Sequence, residues 1–236
     1  MTTIYTYNNK VLKNSSNDKW LTKKYIDPYN PLGLPANTVR VRTSNGNVPY
    51  KSFRTSYNTA TLVQGTSDVY DVYKSGTSFG SLLSGSNNVV EVLGANTTGI
   101  TQMYGMFHDC SSLTSVQLFD TSNVTTMESM FLECSNLTSV PLFDTSNVTN
   151  MNSMLNLCGQ LTTIPLFDTS KATDMGYMFS GCTRVQSGAL ALYQQASTQT
   201  TPPSNHNNTF NNCGRDTTTG GAELAQIPSS WGGTGA

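Results

Sequence analysis

Apolar residues recur in this chain at two alternating spacings. Met127, Met130, Phe131 and Cys134 stand at i, i+3, i+4 and i+7, the stripe of one face of a short helix. Thr125 and Glu128 fit a capping box at its start. Leu137, Val140 and Leu142 then follow an L-x-x-L-x-L spacing, which predicts a short strand with Val140 and Leu142 facing inward. Asp144, Thr145, Ser146 and Asn147 supply a turn. One unit therefore reads as strand, turn, helix and loop.

This pattern repeats every 24 residues without a gap. Met103, Met127, Met151 and Met175 share one phase; Cys110, Cys134, Cys158 and Cys182 share a second; Asp120, Asp144 and Asp168 share a third. Phe79, Leu82, Leu83, Val89 and Val92 carry the phases back one period, and residues 209–214 echo them after a break. A unit of this size cannot bury its apolar face alone, so neighbours must stack and the end copies serve as caps. The fold expected is an α/β solenoid, a leucine-rich-repeat-like stack of 24-residue strand–turn–short-helix coils with a small N-terminal β cap and an irregular C-terminal cap. The domains expected are an extended attachment arm over 1–35, the β cap over 36–72, the solenoid over 73–197 and the C-terminal cap over 198–236. Residues 37–42 and 59–64 read as strands, Asn45-Gly46 as a hairpin turn, and 187–197 as a helix.

The same register makes ladders. The cysteines fall on the buried face with Met and Phe, as a reduced core ladder rather than disulfides or a metal site, since no close Cys-x-x-Cys pair occurs. Asp120, Asp144 and Asp168 would stack about 5 Å apart, and the remedy expected is that each carboxylate accepts N–H bonds from its own turn. Phe119, Phe143 and Phe167 are expected as a buried corner stack. Pro141 and Pro165 cannot donate to a ladder, so the strands should be only two or three residues long.

Composition narrows the function classes. Only 11% of the residues are charged, and Ser, Thr and Asn are abundant, which favours a surface of neutral hydrogen-bonding groups. No apolar run is long enough for a membrane span, and no apolar leader is seen at the N-terminus. Residues 1–74 hold ten of the 13 Lys and Arg against four acids, a net of +6; residues 75–236 hold three against ten, a net of −7. The bases are dispersed, with no aromatic–basic nucleic-acid module. Two histidines and a regular Asp ladder offer no credible catalytic constellation, so an enzyme is not expected, nor a cofactor or metal.

The string Asp-Thr-Ser-Asn-Val-Thr-x-Met-x-x-Met-Phe-x-x-Cys-x-x-Leu over residues 120–137, repeated over 144–161 with Leu155 for Phe, resembles the BspA-like leucine-rich repeat surface proteins. The resemblance implies a solenoid used for adhesion or recognition, found on bacterial surfaces and in phages of gut bacteria. Exported members usually carry a signal or anchor and this chain shows neither, which points to a virion surface, where assembly needs no export signal. The function expected is a non-catalytic, multi-copy virion component, a head decoration or fibre, that attaches to a host-surface glycan or protein. A bacterial cell-surface adhesin and a purely architectural virion cap are the alternatives.

Comparing units within the chain locates a candidate recognition ridge. Packing phases barely change, while Tyr104, His108, Asp109, Glu128, Leu132, Glu133, Asn152, Asn156 and Tyr177 vary at positions expected to face away from the core. Lys10, Lys13, Lys19, Trp20, Lys23 and Lys24 mark the basic arm as the segment that attaches to other virion proteins.

Overall fold

The computed structural model describes residues 29–49 and 57–235. Five strands form one mixed sheet: β1 (Thr38–Thr43), β2 (Thr59–Leu62), β3 (Val69–Tyr73), β4 (Val89–Asn96) and β5 (Ser115–Val116), in the order β2-β3-β1-β4-β5. All neighbours are antiparallel except β4 and β5. In β1 the two faces separate by alternation: Val39 and Val41 are fully buried. Arg40 and Arg42 point the other way, where Arg40 donates to both carboxylate oxygens of Asp71 at 2.6 and 2.8 Å and Arg42 to Glu91 at 2.5 Å. These pairs sit directly opposite one another across the strands, so charge and burial specify one register.

The expected hairpin at Asn45-Gly46 does not form. β1 pairs with β3 and β4, whereas the next strand along the chain, β2, pairs with β3. Gly46 instead opens a long connection in the left-handed region (φ 67°), with its carbonyl accepting from the Tyr70 hydroxyl at 2.7 Å.

The fold-class expectation is overturned more widely. Among the described residues the structure is a mixed five-stranded sheet with only two short α-helices, α1 (Ala189–Ser197) and α2 (Thr218–Leu224), and not a solenoid of strand–turn–helix coils. Among the described residues no helix precedes α1, and between β5 and α1 only isolated β-bridges occur. The Met-x-x-Met-Phe-x-x-Cys segments run as successive turns. Each places two residues at positive φ, such as Ser129 (53°) and Glu133 (63°), or Gly105 and Asp109 in the unit before. A left-handed residue every four positions ends each turn before a helix can propagate.

The hydrogen bonds show what replaces the helix. Met127, Ser129, Phe131 and Glu133 donate their N–H groups to the carbonyls of Asn150, Asn152, Met154 and Asn156 in the next unit, at 2.8 to 3.0 Å. The intervening Met130, Leu132 and Cys134 donate back three residues within their own unit. Thr125, expected as a helix cap, donates its hydroxyl to the Thr101 carbonyl of the preceding unit instead. Thus every second amide ties one unit to its neighbour, and the others close turns.

This arrangement keeps the apolar phases inside. Met127, Met130, Phe131, Cys134 and Leu137 are all fully buried, as are their equivalents one unit on. Phe107 and Phe131 stack at 5.4 Å, and Phe131 and Phe143 at 6.3 Å. Sheet and repeats share one continuous apolar core.

At the far end, side chains take over the work of a missing unit. Buried Thr97, Thr121 and Thr145 donate to the carbonyls of Asp120, Asp144 and Asp168. Thr169 is met instead by the amides of Gln195 and Gln199 from the α1 end of the chain. Trp231, nearly buried, accepts the Phe210 N–H at its carbonyl, lies 4.3 Å from the His206 ring and meets Tyr193 edge-on. Gly188 precedes α1 at φ 103°, where a Cβ would stand 2.3 Å from the Ile164 carbonyl oxygen. Gly188→Ala is expected to cost about 2–4 kcal/mol through strain and a backbone clash, read as a lower urea midpoint.

Candidate functional site

The repeat stack presents two exposed ladders. The first is the ridge of variable turn residues. Positions 80, 104, 128, 152 and 176 form one column, and adjacent units stand about 4.8 Å apart. Tyr104 is 43% exposed, and its ring lies where a Cβ on Gly80 would go, 2.1 Å from Cζ. Glu128 accepts from the Asn150 amide at 3.0 Å, and Asn152 donates to Asp174 at 3.0 Å, a carboxylate that also takes the Asn205 amide. In a neighbouring column Tyr177, 44% exposed, takes φ 57°, a conformation uncommon for a bulky side chain.

The remaining predicted ridge residues lie on the same face. Glu133 is exposed, while His108, Asp109, Leu132 and Asn156 are half-buried. Asp109 and Glu133 occupy the left-handed end of the second turn, with Leu157 (φ 63°) next in that column, its side chain filling the space over Gly181. Large groups therefore rest on glycines one unit away. Tyr104 and Tyr177 are separated by three units, about 14 Å, so they do not form one pocket. Lys10, Lys13, Lys19, Trp20, Lys23 and Lys24 lie outside the described residues.

The second ladder was missed in the sequence. Val140 is buried, but Leu142, expected inward, is 59% exposed, as Leu118 (40%) and Leu166 (53%) are. The Phe143 N–H donates to the Pro141 carbonyl at 2.9 Å, and Phe167 repeats this with Pro165. An i to i+2 bond is a three-residue turn. It places the leucine at its tip and swings the following Phe into the core, where Phe119, Phe143 and Phe167 are buried as expected. The two prolines directly before the exposed leucines were the available signal.

Beside the leucines runs the aspartate ladder. Asp120, Asp144 and Asp168 each accept the N–H of the serine two residues on, at 2.9, 3.0 and 2.8 Å. Hydrogen bonds from Ser170, with Lys171 nearby, hold the Asp168 carboxyl below the usual carboxylate range. Leu118, Leu142 and Leu166 with Tyr29, Asp144 and Asp168 line an open groove of about 260 Å³. Asp120 lines a smaller recess that also contains Tyr29.

The thiols offer no exposed chemistry. Cys110, Cys134, Cys158, Cys182 and Cys213 are free and buried. The first four donate to the carbonyls of Leu83, Phe107, Phe131 and Leu155 at 3.1 to 3.2 Å. Burial raises all five pKa values, those of Cys110 and Cys182 to about 12. Among the described residues no group of three His, Cys, Asp or Glu is placed to hold a metal ion, and no helix is long and apolar enough to cross a membrane.

Against known proteins, the family described as Mycoplasma protein of unknown function, DUF285, matches residues 77–195, half of the chain. The chain belongs to the DUF285 family. That family is related to the BspA-like repeat surface proteins, and the matched span covers the contiguous repeat units and α1 as far as Gln195. No curated protein and no solved structure matches the chain.

Proposed function

We propose that this DUF285 protein is a non-catalytic recognition protein, displayed in several copies on a phage virion, whose variable ridge contacts a host-surface glycan or protein. The observation that carries this reading is the contrast within each unit. The inward phases are nearly invariant Met, Phe, Cys and Leu, whereas Tyr104 and Tyr177 project from the turns with more than two-fifths of their surface open. Amphipathic aromatic side chains give large contact area at little entropic cost, and the Glu128 and Asn152 groups between them suit hydroxyl-rich or peptide ligands. The basic arm, through Lys10 and Lys13 at its outer end, is proposed to join the chain to other virion proteins.

The test is host-cell binding by the full chain. The Tyr104→Ala/Tyr177→Ala variant is expected to keep its melting temperature and to lose roughly tenfold or more in binding, since exposed aromatic anchors each contribute about 1–2 kcal/mol. Unchanged binding rejects the ridge. The relation of the family to BspA-like surface proteins supports a second reading, a bacterial cell-surface adhesin. Fractionation separates the two: the chain should copurify with particles in one case and with cell envelopes in the other.

A further inference from the structure

We propose that the groove along Leu118, Leu142 and Leu166 is a docking site for the chain's own residues 19–28. The groove has an apolar floor and an acidic side: three exposed leucines of successive units, Leu142 and Leu166 at turn tips, with the carboxylates of Asp144 and Asp168 beside them. An apolar row repeated at the spacing of the units suits an extended segment with apolar side chains and positive charge. Residues 19–28 read Lys-Trp-Leu-Thr-Lys-Lys-Tyr-Ile-Asp-Pro, three lysines among four large apolar side chains with one acid. Residues 75–236 hold only three Lys and Arg, and of the basic stretches before them this one directly adjoins Tyr29, a residue of the groove.

Chain connectivity favours this occupant over a separate partner. Tyr29 immediately follows the segment and itself lines both the groove and the adjoining recess at Asp120. A segment joined to Tyr29 is thereby tethered to the groove at high effective concentration. From Leu118 to Leu166 is two unit spacings, about 10 Å, and ten extended residues reach up to about 33 Å. Charge attraction would reinforce the contact at low salt. The proposal does not rest on the recognition reading of the ridge, which lies on the turn residues.

Limited trypsin digestion of the full chain tests it, because Lys19, Lys23 and Lys24 lie inside the segment while Lys10 and Lys13 lie before it. Cleavage at the three inner lysines is expected to be roughly tenfold slower than at the outer two, since proteolysis follows the open population. Leu142→Ser/Leu166→Ser, at exposed positions that leave the core intact, should abolish the difference without changing the melting temperature. Asp144→Asn/Asp168→Asn keeps the turn acceptors, and should weaken the protection and remove its salt dependence. Equal cleavage at inner and outer lysines in the wild type overturns the proposal. So does protection that survives the leucine variant, or that fades on dilution, which would make a second copy the occupant. Host-cell binding is a separate readout, so failure here is distinguishable from failure of the ridge.

Discussion

Above pH 9 the folded protein is expected to lose stability steeply, and the five buried thiols are the reason. In the unfolded chain each thiol ionises near its ordinary value of ~8.5. In the folded chain burial opposes the thiolate and raises every one of the five, Cys110 and Cys182 to about 12. The sign follows from proton counting. Below ~8.5 both states hold the proton and stability does not depend on these groups; above it the unfolded state sheds protons that the native state keeps, so rising pH favours unfolding. Each thiol contributes up to about 1.4 kcal/mol per pH unit, and five together up to about 7 kcal/mol per unit. Ordinary domain stability is about 5–15 kcal/mol, so unfolding is expected within one to two units above pH 9. Urea midpoints measured from pH 7 to 11 check this. Cys134→Ala/Cys158→Ala should flatten the slope by about two-fifths, and rapid reaction of the native thiols with a disulfide reagent at pH 8 would contradict the buried ladder.

Phe131→Ala is expected to cost about 3–5 kcal/mol, the largest effect of any single side-chain truncation in the middle unit. The ring is fully buried and stacks on Phe107 and near Phe143, so its loss leaves a cavity between its own unit and the preceding one. The adjoining turn residues cannot collapse into it, because alternate N–H groups there are already committed to the next unit. Leu142→Ala provides the contrast. A strand with Leu142 inward would make the two substitutions comparable, whereas a leucine 59% exposed at a turn tip should change stability by no more than about 0.5 kcal/mol. Chemical unfolding of both variants beside the wild type measures the difference directly. A Leu142→Ala loss of several kcal/mol would show that the leucine packs inside.

Several of these features were legible in the residues. The aspartate turns are local: a carboxylate accepting the N–H two residues on needs nothing beyond the Asp-Thr-Ser string. The buried phenylalanine corner was also foreseen, although its partner was not. Counting Leu142 as inward followed from treating the segment as a straight strand, and one three-residue turn after Pro141 reversed leucine and phenylalanine. The ridge residues lie on turns rather than on the expected helix faces, with Tyr104, Glu128, Glu133 and Tyr177 exposed and the others half-buried; which of them carry bulk over a neighbour's glycine, as Tyr104 over Gly80, depends on which units stack.

The 24-residue period by itself determined that the Met, Phe and Cys phases are buried and that units must contact their neighbours, because an apolar face of that size has no other way to leave water; it did not determine the side taken by the Leu142 phase. It could not decide between a helix and a run of turns, since both bring i, i+3, i+4 and i+7 to one side. The tertiary structure made that choice. With the next unit's carbonyls facing Met127, Ser129, Phe131 and Glu133, those amides bond across units instead of along the chain. Residues such as Ser129 and Glu133 take the left-handed conformation that such bonding requires. Hydrogen bonds to a neighbour 23 residues away are invisible to any local reading, and they convert the expected helices into turns.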